Sequence, residues 1–230
     1  MPVHSEPTTS TPSDPDAPPP REGATGVLVV AALVGIALGV FSTLADGIIP
    51  GRLVTLLGNI AAPWVIAAFV VGYRASSVKQ GAIAGALALL VGVVVYYGIG
   101  SVRNYAAGNL NVIWTVVALF AGPIVGACGA AISTRRERPP LIAVIIPAAM
   151  LIGEGLFLLY QRRVWRTNFG AETYRLIDVG VSLALIVGGL VAAWVFARTQ
   201  RPAALAGVAV TGVLGAFGFV LLERIIVSVG

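Results

Sequence analysis

One carboxylate in this sequence lies inside a long apolar run. Glu154 is the only charged residue in LIAVIIPAAMLIGEGLFLLYQ, residues 141–161. At 1.5 Å rise per residue, such a run covers the roughly 30 Å hydrocarbon layer of a bilayer. An ionised acid at that depth is costly, so Glu154 should either keep its proton or find a cation. The pattern indicates either a proton- or cation-linked site or a buried acid that fixes helix packing.

Candidate partners of Glu154 lie near the ends of other apolar runs. Asn59 and Asp178 open two of these runs, and Arg224 lies near the end of the last one. Arg224 is the cation that we expect to pair with Glu154. Together the four residues form a candidate intramembrane polar site. For the residues at the ends of runs, ordinary interfacial charge is the simpler interpretation.

The apolar runs predict an all-α fold, a polytopic transmembrane helix bundle with about seven spans. The predicted spans are 24–45, 57–73, 81–101, 110–132, 141–161, 177–197 and 203–228. The composition agrees, because the mean hydropathy is +0.92 and only 11% of the residues are charged, against about a quarter in soluble domains. The G-x-x-x-G steps among the 28 glycines predict close helix contacts, within the bundle or between protomers.

The first 23 residues differ in composition from the rest of the chain. They hold seven of the 14 prolines, with Ser, Thr, Asp and Glu between them, which predicts a disordered Pro-rich tail. The transmembrane helical domain is then predicted over 24–230. Arg and Lys in the shortest loops favour a cytoplasmic N-terminus and tail. We expect a multi-pass protein of the cell membrane.

The connection after residue 160, QRRVWRTNFGAETYR, combines basic and aromatic residues. Arg162, Arg163, Trp165 and Arg166 are candidate interfacial residues, since a helix with this pattern can lie on a membrane surface. A lid over an outward-facing site is the alternative.

Other aromatic residues are found near the ends of the predicted spans. They are Trp64, Trp114, Tyr96, Tyr97 and Tyr160. Residues of this kind are typical of the aromatic belt at a membrane interface. A substrate box is the less simple interpretation.

Several classes of function are disfavoured. His4 is the only histidine and Cys128 the only cysteine, so we expect no metal site. The nucleotide-binding and hydrolase motifs are missing from the sequence, which predicts no catalytic residues and no cofactor. The basic residues lie between apolar runs rather than on one surface, and this argues against nucleic acid as a partner.

Three segments carry a resemblance to a known family. They are LGNIAAPWVIAAFVVGYRASS, GAIAGALALLVGVVVYYG and AGPIVGACGAAISTRRERP. They resemble a bacterial, actinobacterial-type family of multi-pass membrane proteins known only as a domain of unknown function. The resemblance covers about 25–225 and implies a location in the membrane without implying an activity.

Two functional hypotheses remain open. The first is a non-catalytic bundle that organises lipid or a partner, either a second copy of the chain or another membrane protein. The second is a small transporter or permease-like carrier with a proton- or cation-linked site around Glu154. The absence of paired interrupted helices in the sequence pattern favours the first.

Overall fold

The computed structural model describes residues 23–46, 49–102, 110–135, 137–164 and 172–229, and all regular structure in these ranges is helical. The all-α prediction is therefore confirmed for the described residues. The helices are α1 (Ala24–Ala45), α2 (Arg52–Asn59), α3 (Ala62–Tyr73), α4 (Val78–Val102), α5 (Leu110–Thr134), α6 (Leu141–Val164), α7 (Glu172–Ala197) and α8 (Arg201–Val229). The tail as far as residue 22 lies outside the described residues.

Within the described ranges, five helical stretches are long and apolar enough to cross a membrane. Four of them lie in α1, α4, α5 and α6, and the fifth, Leu176–Ile225, runs from α7 into α8. A sixth arises if α2 and α3, which are bent by 56° at their junction, are taken as one broken span. Length and composition thus agree with the helical bundle that the apolar runs predict.

The stretch Leu176–Ile225 turns back on itself. A short 3₁₀ helix, Arg198–Gln200, separates α7 from α8. Gly155 of α6 lies against Ser182, while Gly189 lies against Ala148, so α7 runs antiparallel to α6. On the other side, Gly207 lies against Ile145 and Gly153 against Gly215, so α8 runs parallel to α6. Helices α7 and α8 thus form a hairpin, and both of them pack against α6.

The broken pair α2–α3 runs the length of the bundle. Gly35 of α1 lies against Ala88 of α4, and Gly39 lies one turn further on against Gly92, so α1 and α4 are parallel. The segment that connects the end of α1 to the start of α4 must therefore cross back to the opposite end of the bundle. It does so through α2 and α3, with Trp64 at the level of Gly92.

Helices α4 and α5 touch backbone to backbone. A Cβ atom added at Gly126 would overlap the carbonyl oxygen of Gly81, and one added at Gly85 would overlap that of Gly122. Only glycine allows two helices to come this close. The G-x-x-x-G steps Gly81–Gly85 and Gly122–Gly126 thus form a contact between two helices of the same chain.

A shared core joins the two parts of the bundle. Buried residues of α5, such as Ile132, pack in one cluster with Val144 of α6, Ala193 of α7 and Val208 of α8. The rings of Phe69 and Phe196 meet beside this cluster, with centroids 5.8 Å apart. The core therefore fixes α6 and its carboxylate next to α3.

Candidate functional site

The second predicted span is interrupted. The sequence suggested one helix over 57–73, but α2 ends at Asn59 because Ile60 adopts an extended conformation with φ −97° and ψ 155°. The next helix begins at Ala62, with Pro63 in its first turn, where a missing N–H is tolerated and the fixed φ is helical. Proline is disfavoured further inside a helix, so Pro63 explains why the break falls here.

Glu154 binds the backbone at this break. Its Oε1 accepts a hydrogen bond from the backbone N–H of Ala61, and the backbone of Ala62 also bonds to the carboxylate. The side chain comes from α6 and is 4% exposed. It acts as an N-cap supplied by another helix, since it accepts from N–H groups that have no partner within α3. The carboxyl group also lies at the positive end of the α3 dipole, which favours its charged form.

The sequence suggested Arg224 as the partner of Glu154, and the structure corrects this. Arg224 is exposed on α8, and the described hydrogen bonds of Glu154 come from backbone N–H groups. The neighbouring Glu223 accepts a hydrogen bond of 2.8 Å from Nε2 of Gln161. A side-chain cation was expected because it can be recognised in a sequence, whereas the N–H groups of a helix break cannot.

Asp178 forms a two-pronged ion pair with Arg52 of α2. Nε of Arg52 lies 2.9 Å from Oδ1, and Nη2 lies 3.0 Å from Oδ2. The Asp178 side chain is 5% exposed and the Arg52 side chain 35%. This geometry matches the planar guanidinium to the carboxylate. It ties the first half of the broken span to α7.

Another carboxylate, that of Asp46, lies at the end of α1. Oδ1 of Asp46 accepts a hydrogen bond from Nδ2 of Asn59, and Oδ2 accepts one from the hydroxyl of Tyr96. Nδ2 of Asn59 also donates to the carbonyl oxygen of Thr55 at 2.9 Å. The ring of Tyr96 meets that of Tyr97 edge-on, with centroids 4.9 Å apart. Asp46 thus links the ends of α1, α2 and α4.

A cavity of about 270 Å³ lies beside the break. Its walls combine the segment Gly58–Ala61 with apolar residues of α4, α5 and α6 and with four aromatic residues. These aromatic residues are Trp64, Tyr96, Tyr97 and Trp114. Ser42 also lines the cavity, and its Oγ is buried without a hydrogen-bond partner. Buried hydroxyls are normally paired, so the Ser42 hydroxyl is a group with which a water or a bound molecule can form a hydrogen bond.

The predicted polar site is thus divided among three places. Glu154 lies at the break, Asp178 pairs with Arg52, and Asn59 bonds to Asp46 at the wall of the cavity. The side chains of Arg162 and Arg163, and Trp165 and Arg166 altogether, lie outside the described residues. Over the part of the chain that is described, no three His, Cys, Asp or Glu side chains group as metal ligands would.

Sequence reasoning missed three of the residues that shape this region. Ser42 and Asp46 were not singled out, and Arg52 was counted only as a loop charge. A serine inside an apolar helix was an available signal for the first of these. The pairing of Arg52 with Asp178 spans 126 positions, and the sequence gives no periodicity that would reveal it.

Comparison with known proteins places the chain in a family without giving it an activity. No curated protein and no solved structure matches it significantly. Residues 18–227 match the family described as "Family of unknown function (DUF6518)". This match covers most of the 230 residues, and the chain therefore belongs to that family.

Proposed function

We propose that this protein is a non-catalytic, multi-pass protein of the cell membrane that binds a small molecule in the cavity beside the α2–α3 break. The cavity, lined by four aromatic residues and by Ser42, carries the proposal. Ligand pockets in proteins are mostly apolar concavities with a few polar groups that orient the ligand. The cavity described above has this character.

The membrane part of the proposal is supported by the outer faces of the helices. Large apolar side chains stand exposed on α7 and α8, among them Leu176 at 78%, Val210 at 63% and Phe217 at 67%. Exposed apolar surface of this extent would be unfavourable in water and is satisfied by lipid. On this proposal the bundle crosses the bilayer seven times, with α2 and α3 as one crossing and the N-terminus in the cytoplasm. These faces are also where a second copy of the chain or another membrane protein would pack.

The cavity is large enough for an organic molecule. An engineered cavity of about 150 Å³ takes up benzene, whereas the cavity here measures about 270 Å³. It can therefore hold an aromatic or branched aliphatic group with a polar substituent. The polar substituent would satisfy the hydroxyl of Ser42, which is 1% exposed.

In this proposal Glu154 has a structural role. Its carboxylate accepts hydrogen bonds from the N–H groups at the start of α3, and in this role it stabilises the break. The wall formed by residues 58–61 depends on that break. Glu154 thus maintains the site without contacting the ligand.

Cysteine accessibility tests the cavity. In a Cys128→Ala background, Ser42→Cys should react with a small thiol reagent such as methyl methanethiosulfonate in detergent or in vesicles. Thr43→Cys is the matched control, because Thr43 is as deeply buried as Ser42, each being 1% exposed, but does not line the cavity. Its hydroxyl donates to the carbonyl oxygen of Gly39. Equal, slow labelling at both positions would refute a ligand-accessible cavity.

A carrier is the second candidate, and the broken span is the observation that favours it. Discontinuous helices form the substrate sites of many secondary transporters. A carrier would move its ligand across proteoliposome membranes, whereas a binding protein would only retain it. Uptake of the bound molecule into sealed vesicles, measured against empty vesicles, separates the two.

A further inference from the structure

The walls of the cavity are rich in aromatic rings, which favour a positively charged ligand. Four aromatic residues line it: Trp64, Tyr96, Tyr97 and Trp114. Aromatic faces carry partial negative charge and attract ammonium groups. Trp is the best of these rings for a cation, and two of the four are Trp.

A carboxylate lies directly behind this wall. Asp46 accepts hydrogen bonds from Asn59 and Tyr96, and both of these residues line the cavity. None of the described lining residues is Lys or Arg. The fixed charge nearest to the cavity among the described groups that touch its walls is therefore negative.

The helix ends at the break also favour a cation in the cavity. Residues Gly58 and Asn59, at the C-terminal end of α2, line the cavity, and the C-terminal end of a helix carries partial negative charge. The opposite end, the N-terminus of α3, would attract anions. It is already occupied by the carboxylate of Glu154.

The hydroxyl of Ser42 narrows the class of ligand further. Its Oγ has lone pairs that can accept a hydrogen bond and has no partner in the described structure. A protonated amine supplies N–H donors as well as charge, whereas a quaternary ammonium supplies charge alone. We propose that the ligand of this cavity is a protonated amine with an apolar body, held by the aromatic faces, by Ser42 and by the negative charge behind the wall.

This inference rests on the proposed small-molecule site and adds the chemical class of its ligand. Three ligands of similar size and different charge test it: benzylamine, which is a cation at pH 7, benzyl alcohol, which is neutral, and benzoate, which is an anion. Binding to the full-length chain in detergent is measured by isothermal titration calorimetry. We expect benzylamine to bind at least five-fold more tightly than benzyl alcohol, and benzoate to give no signal.

Variants assign the preference to particular groups. Trp114→Leu keeps an apolar wall but removes a ring face, and it should weaken benzylamine about five- to thirty-fold, corresponding to one cation–π contact. The matched control is Trp194→Leu, because Trp194 is exposed on α7 and does not line the cavity. It should leave the affinity unchanged.

A second variant removes the charge and keeps the shape. Asp46→Asn keeps one oxygen that accepts from Asn59, and its amide N–H can donate to the hydroxyl oxygen of Tyr96. It should therefore weaken benzylamine about five-fold and leave benzyl alcohol unaffected. It gives an answer even if Trp114→Leu fails to fold.

The outcomes separate this inference from the proposal on which it rests. Absence of benzylamine binding, or binding of benzyl alcohol as tight as that of benzylamine, overturns the protonated-amine assignment. If Ser42→Cys is still labelled faster than Thr43→Cys in that case, the cavity itself stands and only the ligand class is wrong. If none of the three ligands binds and both cysteines are unreactive, both the protonated-amine assignment and the proposed function are refuted.

Discussion

The carboxylate of Glu154 accepts a hydrogen bond from the backbone N–H of Ala61, 93 positions earlier in the chain. One side chain of α6 thus completes the start of α3, a helix that could not otherwise pair its first N–H groups. An acid inside an apolar run is commonly taken as a sign of ion or proton chemistry. Here its geometry is that of a helix cap.

This relationship predicts how substitutions of Glu154 behave. Glu154→Gln keeps a side-chain oxygen that can accept from Ala61, so it should lower the melting temperature only slightly. Glu154→Leu leaves buried N–H groups without an acceptor, at about 1–3 kcal/mol for each, and should lower the melting temperature substantially. Thermal unfolding in detergent, followed by circular dichroism, measures both.

The control for Glu154 is Glu137→Leu, since Glu137 is exposed beyond the end of α5 and should tolerate the change. Equal loss of stability in Glu154→Gln and Glu154→Leu would contradict the capping role. So would loss of ligand binding in Glu154→Gln without any change in stability.

The ion pair between Arg52 and Asp178 predicts asymmetric effects. Arg52→Met removes the guanidinium from beside a buried carboxylate, while Asp178→Leu leaves a cation whose side chain is one-third exposed and can reach water. The first change should destabilise the fold more, by about 2–4 kcal/mol. The double variant Arg52→Met/Asp178→Leu should recover part of this loss, because an apolar pair can replace a buried ion pair.

A double-mutant cycle on the same pair, measured by chemical unfolding in mixed micelles, gives the coupling energy. Additive single effects would show that the pair contributes nothing and that α2 is held by other contacts.

The close contact of α4 with α5 predicts intolerance of a single methyl group. Gly126→Ala would place a Cβ against the backbone of Gly81, and overpacking of this kind costs about 1–3 kcal/mol. Gly98→Ala is the control, because it lies in α4 with open space around it. There alanine should be neutral or stabilising by up to about 1 kcal/mol. Similar melting temperatures for the two variants would argue against the packing described here.

The proposed path of the chain through the membrane predicts the location of its loops. Alkaline phosphatase is active only outside the cytoplasm, so fusions after Ser77 and after Glu137 should be inactive and a fusion after Asn168 active. Activity at Ser77 together with inactivity at Asn168 would contradict this path, since it is expected if the orientation is reversed and also if α2–α3 does not cross. A fusion after Pro50 separates these two cases, because it is active only if the N-terminus lies in the cytoplasm.

The sequence predicted the bounds of the helices better than the contacts between them. The bounds of α1 coincide with the predicted span 24–45, and α5 ends within two residues of the predicted position. Apolar run length determines these bounds, and it is local information. The break at residues 60–61 was missed, although Pro63 lay beside it, because the apolar run continues through the break and the predicted span covered 57–73.

The polar contacts were harder to predict for a physical reason. Arg224 was chosen as the partner of Glu154 by charge, but the partner is a main-chain N–H, which every residue except proline carries. The cavity depends on the arrangement of Ser42, Trp64 and Trp114 from three different helices. Such an arrangement follows from packing, and no spacing in the sequence encodes it.

The backbone contact between α4 and α5 limits how a ligand can reach the cavity. Two helices whose glycines meet at Gly81, Gly85, Gly122 and Gly126 cannot part without losing contacts along two turns, so they form the fixed side of the site. The eight residues of α2 are held less extensively, by the ion pair of Arg52, by the hydrogen bond from Asn59 to Asp46 and by the packing of Gly58 against Ala45. Moving α2 about the extended backbone of Ile60 would require these contacts to open, whereas parting α4 from α5 would separate two helix backbones. This short helix is therefore the element whose movement would admit or release a molecule.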